Sequence, residues 1–180
     1  MNEVAAPPLE SPDSLDAIWQ LLEQIPDPEI PVVSIRELGI LRDVRRDAQG
    51  TIEVVITPTY SGCPAIGQME DDIRAALHSA DISANIVTQL APAWTTDWMT
   101  PSAHQKLRDY GIAPPLHLIG HDNAAANVIR FASRTAAVAV PCPRCASSNT
   151  TETSHFASTA CKALYKCLDC LEPFDYFKPY

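Results

Sequence analysis

Apolar residues recur along the first half of the chain in two rhythms, one helical and one extended. Leu15, Ile18, Trp19, Leu22 and Ile25 stand three or four apart, which puts them on one face of a helix. Ser11-Pro12 supplies an N-cap followed by proline at the first helical position, and Pro26 stops the run. Residues 40–46 and 51–58 predict a β-hairpin that turns at Asp47-Ala48-Gln49-Gly50. In its second arm Ile52, Val54 and Ile56 alternate with Glu53, Val55 and Thr57, so one face is apolar and the other mixed. A second helix is predicted from about Pro64 to Ser79, with Ile66, Met69, Ile73 and Leu77 as its buried stripe. A third strand follows over residues 82–90, where Ile82, Ala84, Ile86 and Leu90 share a side. The expected fold class is α+β: an αββαβ unit whose two helices pack on a small mixed sheet, followed by a small C-terminal β module.

The pattern weakens further on. Pro92 to Met99 carries Trp94 and Trp98, one turn apart if the segment is helical. Large aromatics so placed seal a core edge or, if exposed, anchor a partner. Thr100-Pro101 caps a short helix ending at Gly111, and Pro114-Pro115 forbids its continuation. The expected organisation is a disordered start over 1–10, a main domain over 11–113, a linker over 114–137, and the β module over 138–180. No internal repeat is visible.

Cysteines give the last segment its chemistry. Five of the six lie there, and four form two tight pairs, Cys142-Pro-Arg-Cys145 and Cys167-Leu-Asp-Cys170. A two-residue gap lets both sulfurs of a pair converge on one ion, and the second pair completes a tetrahedron. This is zinc-ribbon spacing, with an intervening segment (146–166) slightly longer than usual. Some forty residues bury too little apolar area to fold alone, so a structural Zn2+ is the expected ligand. Four thiolates also suit a rubredoxin-type iron centre. Cys161 is a spare thiol: a substitute ligand, a group behind the ligands, or a small buried hydrophobe.

Composition narrows the function classes. The apolar share of 46% is that of a globular protein, and the formal charge is −9. Residues 141–180 balance Arg144, Lys162, Lys166 and Lys178 against Glu152, Asp169, Glu172 and Asp175, so the acidic excess lies upstream. An acidic domain without a Lys/Arg cluster repels phosphate backbones, which argues against nucleic acid as a partner. Residues 1–9 lack the basic start and apolar run of an export signal. No stretch has the ~20 apolar residues that cross a bilayer. A cytoplasmic location, with the cysteine pairs as metal ligands rather than disulfides, is the expectation.

Cys63 stands alone upstream, in Thr59-Tyr60-Ser61-Gly62-Cys63-Pro64. Placed where a strand-to-helix loop meets a helix start, with Gly62 allowing close approach, it is expected to be an exposed thiol. Unpaired N–H groups there favour the thiolate and raise its reactivity. The competing reading is a buried Cys packed as a small apolar group. Neighbouring Thr59 donates to that thiolate or simply caps the loop. In the rigid Asp27-Pro28-Glu29-Ile30-Pro31 loop, Asp27 and Glu29 are metal ligands or caps on backbone amides. No histidine adjacent in sequence completes a Cys-His couple; His104, His117 and His121 approach only through the fold.

Taken in order, these segments match a family. Asp27-Pro28-Glu29-Ile30-Pro31, then Glu37-Leu38-Gly39, then Thr59 and Cys63-Pro64 after a hairpin resemble the iron–sulfur-assembly (SUF-T-like) domain. Pro58 to Ala65, Pro92 to Trp98, and the ending from Cys161-Lys162-Ala163 to Phe177-Lys178 narrow the resemblance to PaaD, the D component of phenylacetyl-CoA epoxidase systems in bacterial phenylacetate degradation. The resemblance implies that Cys63 is a reactive thiol and transient ligand for iron or an iron–sulfur cluster, supported by Asp27, Glu29 and Thr59. It implies an accessory factor that matures or repairs the complex's metal centre, with the oxygenase or reductase subunit as partner. A homodimer would let two Cys63 thiolates bridge one cluster. The alternative is a non-catalytic rubredoxin-like redox subunit, or a structural one. The chain has neither paired Glu-x-x-His helices nor a dinucleotide Gly-rich turn, so the epoxidation and reductase chemistry are expected to belong to other subunits.

Overall fold

Ser14 caps the first described helix: its hydroxyl accepts from the Ala17 amide at 3.1 Å. The computed structural model describes residues 14–116 and 139–180, so Ser11-Pro12, most of the expected linker, His117 and His121 lie outside the described residues. Two compact units result, Met1–Ala103 and His104–Tyr180.

In the first unit α1 (Leu15–Leu22) precedes β1 (Leu41–Arg46), β2 (Ile52–Ile56), α2 (Ile66–Ser79) and β3 (Ala84–Thr88). The sheet order is β1-β2-β3, antiparallel between β1 and β2 and parallel between β2 and β3. This is the expected αββαβ unit with a mixed sheet. Helix α1 packs on both α2 and β1. Ile18 and Leu22 are fully buried, each stabilising by about 1.5–3 kcal/mol. On α2 the buried side chains are Met69, Ile73 and Leu77, while Ile66 is half-buried. The hairpin turns where expected: Asp47 Oδ1 accepts from the Gln49 and Thr51 amides, and Gly50 takes φ +84°.

Several boundaries shift. Helix α1 ends at Leu22, short of Ile25, because Pro26 disfavours helical backbone at the residue before it. Ile25 is buried all the same, and its carbonyl accepts from the Ile35 amide at 3.0 Å. β3 stops at Thr88, and Leu90 is 54% exposed rather than on a core face. Trp94 and Trp98 do not share a helix; only Thr96–Trp98 makes a 3-10 turn.

The segment between α1 and β1 carries more core than its irregular sequence suggests. Ile30, Val33, Ile35, Leu38 and Ile40 are all buried. Its end, Glu37-Leu38-Gly39, is a platform for the Trp94–Thr100 segment. Trp94 Nε1 donates to the Leu38 carbonyl at 2.9 Å, and the Thr100 amide donates to the Glu37 carbonyl at 2.9 Å. The Glu37 carboxylate accepts from the Ser34 amide (3.0 Å) and the Ser102 hydroxyl (2.9 Å). Arg42, the extra residue where the β1–β2 register slips, sets its guanidinium 3.4 Å from the Trp98 ring centroid. So Trp94 seals the core, and the Trp98 ring is covered by Arg42.

Gly39 makes this contact possible. It holds φ +72°, and a Cβ there would lie 2.6 Å from Trp98 Cβ and 2.7 Å from the Trp98 carbonyl oxygen. Gly50 has a similar φ, +84°, but open space around it. Gly39→Ala should therefore lower unfolding free energy by about 2 kcal/mol or more, against about 1 kcal/mol for Gly50→Ala, as read by urea denaturation. Equal losses would show that the Trp98 contact contributes nothing.

Candidate metal centre and the Cys63 loop

The second unit builds its sheet in the order β4-β7-β6-β5 from β4 (Ile112–Ala113), β5 (Thr150–Ser154), β6 (Lys162–Cys167) and β7 (Pro173–Phe177). Helix α3 (Pro101–Tyr110), capped by Thr100 Oγ1 accepting from the Ala103 amide at 3.1 Å, leads into Gly111 at φ +98°. The left-handed glycine ends α3 as expected, and β4 then pairs parallel with β7. Residues 112–113 thus add a strand to the ribbon sheet, although their sequence reads as the tail of the first domain.

The core of this sheet is small: Ala113, Val140, Cys142, Ala163, Cys167, Phe174 and Tyr176. Two of those seven are cysteines of the paired motifs, so part of the apolar centre is made of ligand sulfur. Buried Lys162 pairs with Asp175 at 3.5 Å.

The two cysteine pairs sit in turns of the same build. The Cys142 amide donates to the Ser147 carbonyl at 2.9 Å, and the Cys167 amide to the Glu172 carbonyl at 3.0 Å. The residue after each pair, Ala146 or Leu171, takes a left-handed φ of 60° or 65°. All four sulfurs lie within 4.8 Å of one another. Cys142 and Cys170 are 3.8 Å apart, Cys145 and Cys167 3.6 Å. A tetrahedral ion with metal–sulfur bonds of about 2.3 Å separates its sulfurs by about 3.8 Å, so these two separations suit such an ion and no pair lies beyond 4.8 Å. When bound, it would be held by these four thiolates and would crosslink the two turns.

Electrostatics points the same way. Amide hydrogen bonds from Cys170 and Asp169 lower the Cys167 thiol to about 7. Against a Glu172 amide that pulls it down, burial and the neighbouring thiols of Cys167, Cys145 and Cys142 push Cys170 up to about 12. Four sulfurs this close cannot all ionise unless a cation joins them. Hydrogen bonds from Ser147 and Asn149 hold the Asp169 carboxyl below its usual range.

Cys161 is not in this cluster. It is buried, with Thr159 Oγ1 3.0 Å from its sulfur, in accord with the packing role.

Cys63 corrects an expectation: the residue is 9% exposed and belongs to the buried core rather than the surface. Helix α2 starts at Ile66, so Cys63 lies in the turn ahead of it. Its amide donates to the Tyr60 carbonyl at 3.2 Å, and its carbonyl accepts from the Ile66 amide at 3.4 Å. The flanking Ser61, Gly62 and Pro64 are exposed. A Cβ on Gly62 would meet nothing nearer than the Tyr60 ring at 3.8 Å, so close backbone approach is not what that glycine provides. Thr59 shares the loop and is buried. Asp27 is buried too, and its Oδ1 accepts from the Glu29 and Ile30 amides at 2.9 and 2.8 Å, which is a loop-capping role. Glu37 is the residue that sequence reasoning passed over as a hub; a Ser three residues ahead of a Glu, the reciprocal capping signature, is the signal that marks it.

Fold and site together define an α+β domain of iron–sulfur-assembly type carried with a four-cysteine β ribbon. The "Iron-sulfur cluster assembly protein" family model matches residues 15–86, and the "PaaD zinc beta ribbon domain" model matches residues 128–178. The chain is 50% identical over 169 residues to an Escherichia coli K12 protein described as the D component of a "Putative 1,2-phenylacetyl-CoA epoxidase", covering 93% of this chain and 94% of that one. It belongs to the family of phenylacetyl-CoA epoxidase D components. Its first half is 35% identical over 81 residues to the "Fe-S protein maturation auxiliary factor YitW" of Bacillus subtilis, covering 45% of this chain and 76% of that one. A crystal structure of a domain of unknown function, DUF59, from Bacillus anthracis covers 52% of this chain and 90% of its own, at 27% identity and a TM-score of 0.47. Among the described residues no helix is long and apolar enough to cross a membrane.

Removing one ligand tests the centre. Cys142→Ser should leave the purified chain with markedly less bound metal by elemental analysis, and should lower the ribbon's resistance to proteolysis. Structural zinc contributes roughly 10–16 kcal/mol in small modules, so the loss should be large. Unchanged metal content would exclude the four-sulfur site.

Proposed function

We propose that this chain is an accessory maturation factor of a phenylacetyl-CoA epoxidase, which assists assembly or repair of that complex's iron or iron–sulfur centre through Cys63. The observation that carries the reading is end-to-end likeness to an epoxidase D component, joined to a first half akin to iron–sulfur maturation factors. The described residues add a thiol in the turn ahead of α2, near the positive end of a helix of 14 residues. Such a thiolate takes an iron ion as a ligand and gives it up by ligand exchange, with no net oxidation or reduction. Because Cys63 rests buried between exposed neighbours, loading requires the 60–64 turn to move and leaves the sheet in place. Asp27, with Glu29 beside it, supports the site by holding the preceding loop, and Thr59 by its place in the same turn. The ribbon holds Zn2+ as a structural ion and serves as docking module for the oxygenase or reductase subunit. The setting is cytoplasmic, and pairing of two chains would bring two Cys63 thiolates to one cluster.

One observation favours a second reading. Sulfur separations of 3.6 and 3.8 Å suit iron as well as zinc, and an iron-loaded ribbon would make the chain a rubredoxin-like redox subunit. A colourless, zinc-containing protein excludes it.

The main test uses cells that carry Cys63→Ser. The oxygenase and reductase purified from them should have reduced iron occupancy and epoxidase activity, while the variant keeps its ribbon metal. Full iron occupancy and full activity would overturn the maturation role.

A further inference from the structure

The backbone bonds that shape each cysteine turn are local to it: Cys142 to Ser147 in one, Cys167 to Glu172 in the other. They fix the sulfurs within a pair but not one pair against the other. Among the described residues, three hydrogen bonds bridge the turns besides the sulfur contacts Cys142–Cys170 and Cys145–Cys167 and the β5–β6 ladder that begins at Thr150 and Cys167. The Leu168 amide donates to the Asn149 carbonyl at 2.8 Å, and Asp169 accepts from two side chains of the opposite segment. Asn149 Nδ2 donates to Asp169 Oδ1 at 2.7 Å, and the Ser147 hydroxyl donates to Asp169 Oδ2.

We propose that Asp169 is a positioning residue for the metal site: its carboxylate ties the two cysteine turns together and holds the four sulfurs at binding separation before the ion arrives. Asp169 lies between Cys167 and Cys170 in sequence, so it moves with the second turn. Its partner Ser147 is fastened to the first, since the Ser147 carbonyl accepts from Cys142 and its hydroxyl oxygen accepts from the Asn149 amide at 3.0 Å. A chain of hydrogen bonds therefore runs from the backbone of one ligand to the turn of the other two. Only a side chain with two acceptor oxygens and no donor satisfies both Ser147 and Asn149; asparagine would offer a single oxygen and set its own N–H groups against one donor. A carboxylate beside four thiolates is electrostatically unfavourable, and two hydrogen bonds on its oxygens offset that cost. The proposal rests on a metal in the four-sulfur cluster and is independent of Cys63, so either reading can fail without the other.

The test loads the full chain with zinc or Co2+ and follows release into a chromophoric chelator. Asp169→Ala, and Ser147→Ala combined with Asn149→Ala, should each release metal about 10- to 100-fold faster than wild type, the usual cost of losing a partner behind a ligand. Asp169→Asn should fall between. The Co2+ ligand-field bands should shift in the Asp169 variants, which a merely looser fold would not cause. Asp175→Asn serves as control: it breaks the Lys162 ion pair in the same module, and should lower the melting temperature without changing release. Wild-type release rates and spectra in the Asp169 and Ser147/Asn149 variants would overturn the proposal. So would equal acceleration by Asp175→Asn, because general loosening would then account for the effect.

Discussion

Charge crowding among four sulfurs is the constraint on which the C-terminal unit depends. Atoms within 4.8 Å of one another cannot all become thiolates unless a cation lies among them. Two of those sulfurs, on Cys142 and Cys167, also belong to the seven-residue core, so the module's apolar packing and its metal site share the same atoms. This is why so short a sheet can hold a defined shape. It is also why the hydrogen bonds on Asp169 matter: they oppose the repulsion at the point where the two turns meet.

The first unit solves a different problem with different means. Its buried core is larger, and α1 packs on both α2 and β1. What it lacks is regular structure between α1 and β1, and there backbone carbonyls, a buried aspartate and a glutamate do the organising. Asp27 gathers two amides at one end of the segment, and Glu37 gathers an amide and a hydroxyl at the other. The Trp94–Thr100 stretch then lies on the Glu37-Leu38-Gly39 backbone closely enough that no side chain fits at Gly39. Two stretches that look like unrelated family signatures in the sequence, Glu37-Leu38-Gly39 and Pro92 to Trp98, form one interlocked surface.

The Cys63 turn sits between these themes. It belongs to the sheet-and-helix unit by packing, yet its neighbours Ser61, Gly62 and Pro64 face solvent. A thiol kept covered at rest is protected from unproductive oxidation, and one reached by moving a short turn remains available to a metal. Burial of the sulfur and a role in metal exchange are therefore compatible only through motion of the 60–64 segment, which is what the proposed function requires.

Periodicity along the chain is enough to place α1, α2, the hairpin and its Asp47–Gly50 turn, because each depends on neighbours a few residues away. Cysteine spacing is likewise enough to locate the four-sulfur cluster, since a two-residue gap has few other uses. Long-range packing decides the rest. Ile30, Val33, Ile35, Leu38 and Ile40 enter the core without any period to announce them. Leu90 leaves the sheet although alternation assigns it inward, and Ile112-Ala113 joins a strand more than sixty residues away. Cys63 looks exposed from its loop and is covered in the fold, because exposure depends on what packs against a residue and not on which residues precede and follow it.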